Sequence, residues 1–129
     1  MPAHPSLSKA PVKRIEKPWG HELLFAHTER YAGKLLFIRK GHRLSLQYHE
    51  KKDEAFYVHS GKARVELETA EGEKSVVILE PGDALRLVPG IRHRTAALED
   101  TIIFEVSTAE LDDVVRRSEE RRVGKECRL

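Results

Sequence analysis

The sequence holds a single cysteine, Cys127, so an internal disulfide is excluded. A lone thiol suits a reducing compartment, and a cytoplasmic location is expected. Aromatic residues make up only 6% of the chain, with one tryptophan, Trp19. No apolar run approaches the ~20 residues that a membrane-crossing helix needs, so no membrane partner is expected. The opening stretch, MPAHPSLSKAPVKR, lacks the apolar segment of a secretory signal. Residues 1–13 read as a disordered, proline-containing arm. Net charge is nearly missing as well, at +2. Five of the 23 basic residues and three of the 21 acidic ones fall in 117–129, which leaves 18 of each before it. A balanced chain without a basic–aromatic stripe argues against a nucleic-acid partner. The run RSEERRVGKEC in that last segment resembles the translation of a sequencing-adapter oligonucleotide. Residues 117–129 are therefore expected to be a non-native tail, and no function is placed on them.

What is present fits one soluble domain over 14–116. The chain has 129 residues, 40% hydrophobic and 34% charged. From position 34 onward it reads as short strands separated by glycine and proline. The segments are 34–39, 43–49, 54–60, 62–68, 74–79, 84–88, 93–97 and 101–107. Segment 43–49 alternates, with Leu44, Leu46 and Tyr48 on one face and Ser45, Gln47 and His49 on the other. Ser60-Gly61 reads as a hairpin turn between 54–60 and 62–68. The one helical-looking piece is 108–116, with Thr108 as its cap. Regularly spaced short strands without long helices predict an all-β jelly-roll barrel with a short C-terminal helix. A barrel of this size leaves room inside for one small ligand.

Four side chains give that interior a chemistry. Gln47 and His49 are two positions apart, so a strand points both the same way. Glu54 follows on the next strand, and hairpin pairing is expected to set it across from them. His93 follows the Pro89-Gly90 turn. Two imidazoles, a carboxylate and an amide oxygen form a mixed nitrogen–oxygen set for a divalent metal, with zinc preferred and iron, manganese or nickel also suited. The other histidines (His4, His21, His27, His42 and His59) stand outside this set.

The spacing of these residues resembles the two motifs of the cupin superfamily. The first runs from Gly41 through Gln47-Tyr48-His49 and Glu54 to Gly61. The second runs from Gly82 through Val88-Pro89-Gly90 to His93. Gln47 replaces the usual first histidine, Val88 replaces a frequent proline, and Ala97 stands where asparagine is common. The nearer resemblance is to the cupin domain of type II mannose-6-phosphate isomerases. It rests on Lys17-Pro18-Trp19-Gly20, on Leu44-Ser45-Leu46-Gln47 with His49, on His93-Arg94, and on the acidic run from Leu111 to Arg116. Glutamine at the first ligand position is normal in that subgroup. With no nucleotidyltransferase segment ahead of the barrel, the stand-alone isomerase is expected rather than the bifunctional form.

The resemblance implies metal-dependent interconversion of mannose 6-phosphate and fructose 6-phosphate. It implies the metal on Gln47, His49, Glu54 and His93, with Arg94 and Glu105 as catalytic groups and Lys17 and Arg94 on the substrate phosphate. Strand alternation sets Arg94 opposite to His93 unless a bend intervenes. Two rival expectations are an Fe(II) dioxygenase and a non-catalytic sugar-binding module. Exposed strand edges predict pairing with a second copy into a homodimer.

Overall fold

The computed structural model describes residues 8–116. The parts of the arm and tail expected at 1–7 and 117–129 lie outside the described residues. Eleven strands run from β1 to β11 among the described residues: β1 Lys13–Lys17, β2 Gly20–His27, β3 Tyr31–Ile38, β4 Gln47–Tyr48, β5 Glu54–Ser60, β6 Ala63–Glu68, β7 Lys74–Leu79, β8 Ala84–Leu87, β9 Arg92–Ala97, β10 Thr101–Thr108 and β11 Val115–Arg116. They form two antiparallel sheets. One has six strands in the order β1-β2-β3-β10-β5-β8, and the other has five in the order β11-β4-β9-β6-β7. The fold is therefore the all-β jelly-roll architecture expected from the sequence.

The inner faces of the two sheets bury one core. Ile38, Val58, Val65 and Ile103 are fully buried, and Phe56 and Leu87 nearly so. Each sits at an alternate position of its strand, which is why the period-two pattern marked these segments correctly. Trp19 also joins this core at 3% exposure, between β1 and β2. No helix is long and apolar enough to cross a membrane among the described residues.

Four features differ from the sequence expectation. The first is the helix over 108–116, which does not form. Residues 111–112 turn, and Val115–Arg116 adds to the edge of the five-stranded sheet opposite Tyr48 and Gln47. Nine residues make a marginal helix in water, and Asp112, Asp113, Val114 and Val115 are all poor helix formers. Sheet pairing offers that backbone more.

The second is the Ser60-Gly61 turn, which joins no hairpin. β5 and β6 belong to different sheets, so the chain crosses the sandwich there. Gly61 has φ 90, and a Cβ on it would lie 2.2 Å from the Asp100 carbonyl oxygen. Only glycine fits that left-handed crossing. The third is segment 43–49, which is mostly another crossing. Its backbone pairs through Leu44 N–H to Thr95 O and an isolated bridge at Arg43 before β4 begins. Leu44 consequently faces the interior, while Leu46 and Tyr48 face out. The fourth is the pair β1–β2, which lies ahead of position 34, where the first strand was expected. Their outward rows are apolar or mixed, so a clean alternation is lacking.

Candidate metal centre

His49, Glu54 and His93 reach one point from three directions. β4 leads into His49, β5 opens with Glu54, and His93 is the second residue of β9. Gln47 pairs directly with His93 across β4 and β9. Glu54 is on the opposite sheet, so it meets the histidines across the sandwich and not along the hairpin expected from the sequence. One potential ligand atom from each of His49, Glu54 and His93 lies within 4.8 Å of the others. All three residues are buried, at 5%, 3% and 3% exposure.

Their polar atoms lack ordinary partners. His49 Nε2, Glu54 Oε2 and His93 Nε2 are each buried without a hydrogen bond. His49 Nε2 and Glu54 Oε2 are 2.8 Å apart, but they are not aligned for a hydrogen bond. Buried polar atoms are almost always satisfied, so three orphans aimed at one another call for a cation between them. The second nitrogen of each ring is held from behind. His49 Nδ1 lies 2.5 Å from the Asp113 carbonyl oxygen, and His93 Nδ1 lies 3.2 Å from that of Ile91. A backbone carbonyl on Nδ1 fixes the tautomer and leaves Nε2 free to ligate. The donor set thus fits a divalent metal. Gln47 lines the same cavity, and its Oε1 accepts a hydrogen bond from Ser45 while keeping a second lone pair.

Electrostatics agree with this arrangement. Burial opposes the Glu54 charge, but His49, Lys52 and His93 together hold its carboxyl below the usual range. Burial drives His93 down, toward the neutral imidazole that a metal requires. The turn that carries His49 into Glu54 is clamped by Asp113. Its carboxylate accepts the backbone N–H groups of Glu50, Lys51 and Lys52 at 3.2, 2.5 and 2.8 Å.

The centre forms one wall of a cavity of about 540 Å³. Glu105 projects into it from the inner face of β10, at 6% exposure. Burial, then the Glu54 charge, push its carboxyl up to about 7, against the opposing pull of Lys52 and Lys34. Lys17 lines the cavity mouth and pairs with Glu22 at 3.4 Å. Arg94 is not brought to this cavity. Its neighbour His93 points inward, so Arg94 points to the outer face of the five-stranded sheet, beside Leu46, Glu66 and Arg92. No bend intervenes within β9, and the alternation expected from the sequence prevails.

Sequence reasoning passed over several cavity residues. Lys52 is 4% exposed, with Nζ 3.4 Å from Glu105 Oε2 and 3.9 Å from Glu54 Oε1. Lys34 pairs with Glu22 at 3.0 Å. Burial disfavours the Lys34 charge, yet Glu105 and Glu22 hold the ammonium above its usual value. Period two on β2 and β3 would have aimed Glu22 and Lys34 inward. Lys52 lies in a loop and carries no such signal. Trp19 packs at the cavity wall, and its indole N–H reaches no acceptor among the described residues.

Comparison with known proteins places these residues in a wider context. A family profile described as "Cupin domain" matches residues 34–107. The chain is 39% identical over 79 residues to a glucose-6-phosphate isomerase of Thermococcus gammatolerans, covering 57% of this chain and 39% of that protein. It therefore spans about two fifths of the length of the curated relatives it matches. Among solved structures, KdgF from Halomonas sp. superposes with a TM-score of 0.65 at 28% identity, covering 80% of this chain and 89% of that one. Oxalate decarboxylase from Bacillus subtilis superposes with a TM-score of 0.73 at 19% identity, covering 82% of this chain and 30% of that one, a likeness of fold alone.

Proposed function

The chain belongs to the cupin domain family, matched from residue 34 to residue 107, and from that premise we propose that it is a metal-dependent sugar-phosphate isomerase. The three orphaned, mutually facing atoms of His49, Glu54 and His93 carry this reading. The likeness to glucose-6-phosphate isomerases supports the phosphorylated-sugar class. Within that class we assign mannose 6-phosphate and fructose 6-phosphate, on the motif residues Lys17 to Gly20 and Leu44 to His49.

His49, Glu54 and His93 would hold the metal, and the Gln47 amide oxygen would serve as fourth ligand. Zinc suits this set best among the common divalent ions. When bound, the metal supplies Lewis acidity to the oxygens of the open-chain sugar. The remaining work falls to this chain. Glu105, balanced near pH 7, takes the proton from C2 of the open-chain aldose and returns it to C1, while the hydroxyl proton on O2 passes to O1 in the enediol. Lys52, at 3.4 Å from that carboxylate, offers positive charge to the oxygen where negative charge develops. Lys17 and Lys34, which line the cavity and share Glu22 as partner, face the phosphate. The unpartnered Trp19 N–H gives a donor to a sugar hydroxyl. Arg94, on the opposite face, has no part in these steps.

The test is a coupled assay on metal-reconstituted protein with mannose 6-phosphate, glucose 6-phosphate and fructose 6-phosphate. Interconversion that falls at least about 100-fold in Glu105→Gln supports the proposal. Stoichiometric metal with no turnover of any of the three overturns it. Two histidines and a carboxylate also suit Fe(II) oxygen chemistry, and oxygen uptake by the iron-loaded protein would favour that reading instead.

A further inference from the structure

The six-stranded sheet gives the cavity a floor of alternating charge. Lys17 on β1, Glu22 on β2, Lys34 on β3, Glu105 on β10 and Glu54 on β5 follow the strand order, and all of them line the cavity. The signs alternate at every step but the last, and there the Lys52 ammonium lies 3.4 Å from Glu105 and 3.9 Å from Glu54. The proposed isomerisation uses every member of this row except Glu22. Glu22 is 6% exposed. Its cross-strand partners are Ile15 on β1 and Leu36 on β3, which set it diagonal to Lys17 and to Lys34. Its Oε1 lies 3.4 Å from Lys17 Nζ and its Oε2 lies 3.0 Å from Lys34 Nζ. Each carboxylate oxygen therefore serves a different lysine, and the three groups together carry a single net positive charge.

We propose, resting on the sugar-phosphate reading of this cavity, that Glu22 is a positioning residue that limits how tightly the substrate phosphate is held. A phosphate that enters must share both ammoniums with a carboxylate already in place. The two anions repel each other in a cavity partly shielded from water, where charge interactions are stronger than in bulk solvent. Fixing the lysine side chains offsets only part of that repulsion, so removing the carboxylate strengthens the phosphate contact. The advantage of a weakened contact follows from where the phosphate sits. It is remote from the carbons that react, so its contacts hold substrate, transition state and product alike and add nothing to the chemical step once the site is full. A tighter hold only delays product release. Glu22 thus trades affinity at the phosphate end for turnover at the metal end, without touching the reacting atoms.

Calorimetric titration of the zinc-loaded full chain tests the inference. The probes are mannitol 1-phosphate, an open-chain polyol phosphate with no carbonyl to isomerise, and unphosphorylated mannitol. The native chain is expected to prefer the phosphorylated polyol. Glu22→Gln should tighten mannitol 1-phosphate by about 10-fold and leave mannitol unchanged. Glu22→Asp keeps the charge and should hold mannitol 1-phosphate within about threefold of the native affinity. With mannose 6-phosphate as substrate, KM and kcat of Glu22→Gln should fall together, as slower release requires. Unchanged or weaker binding of mannitol 1-phosphate by Glu22→Gln, or a native chain that holds both polyols equally, overturns the proposal. The titrations need no turnover, so the expected affinities in a chain without isomerase activity would contradict the isomerase reading and leave the role of Glu22 standing. Circular dichroism checks each variant. If Glu22→Gln does not fold, Lys17→Met decides, because it cancels the remaining net charge and should abolish the preference for the phosphorylated polyol; a preference that persists overturns the proposal.

Discussion

Glu105 shows burial and charge in opposition within one side chain. Desolvation and the Glu54 anion outweigh two nearby lysines, so the carboxyl titrates near 7 rather than 4.5. A raised folded-state value has a definite sign. The stability Glu105 confers is fully present below pH 4.5, is lost as pH rises through 7, and is constant above that. The span corresponds to about 3 kcal/mol. Urea denaturation of metal-free protein at pH 4.5 and 7.5 should show this loss in the native chain and not in Glu105→Gln. An equal pH dependence in both would refute the assignment. The shared inward direction of Gln47 and His49 was legible because positions two apart on an extended chain point the same way. The outward direction of Arg94 was legible for the same reason, although the motif argued for a catalytic role. Lys52 was illegible. Its side chain is directed by the Asp113 clamp on residues 50–52, a contact across more than 60 positions of sequence.

At the scale of elements, glycine signals marked where the chain turns but not what it turns between. A left-handed Gly61 serves a hairpin and a sheet-to-sheet crossing equally well, and only the partners of β5 and β6 distinguish them. Gly61→Ala should lower unfolding free energy by at least about 2 kcal/mol in denaturant titration, through the positive φ and the closeness of Asp100 O. The loop before Glu54 gives a second case. Asp113→Ala removes three backbone hydrogen bonds from the turn that presents His49 and Glu54. Metal affinity, measured by competition with a chromophoric chelator, should fall about 10-fold or more while the strands persist. Unchanged affinity would mean that the loop positions itself without the clamp. The missing helix at 108–116 belongs here too. Its residues favour helix weakly, and a two-residue strand against β4 was enough to reverse the preference.

For the whole molecule, the two sheets exist to bring distant strands to one interior point. A metal held there would link them, since Glu54 comes from one sheet and His93 from the other. A ligand that binds only the folded state stabilises it, by about 2.7 kcal/mol at a hundredfold excess over its dissociation constant. Zinc should accordingly raise the melting temperature of the native chain and leave that of His49→Ala nearly unchanged. The fold class was readable because short strand-like runs recur between glycine and proline turns, with clear alternation in a segment such as β6. The meeting of both sheets at the metal was not, because no local pattern reports which strands share a sheet.

X-ray absorption on the zinc-loaded protein tests the centre most directly. One zinc per chain with two imidazole nitrogens and one or two oxygens at ~2.0–2.2 Å is the expected result, reduced to one imidazole or lost altogether in His93→Ala. A full zinc complement with the same spectrum in His93→Ala would show that the ion binds elsewhere and that the three orphaned atoms are not its ligands.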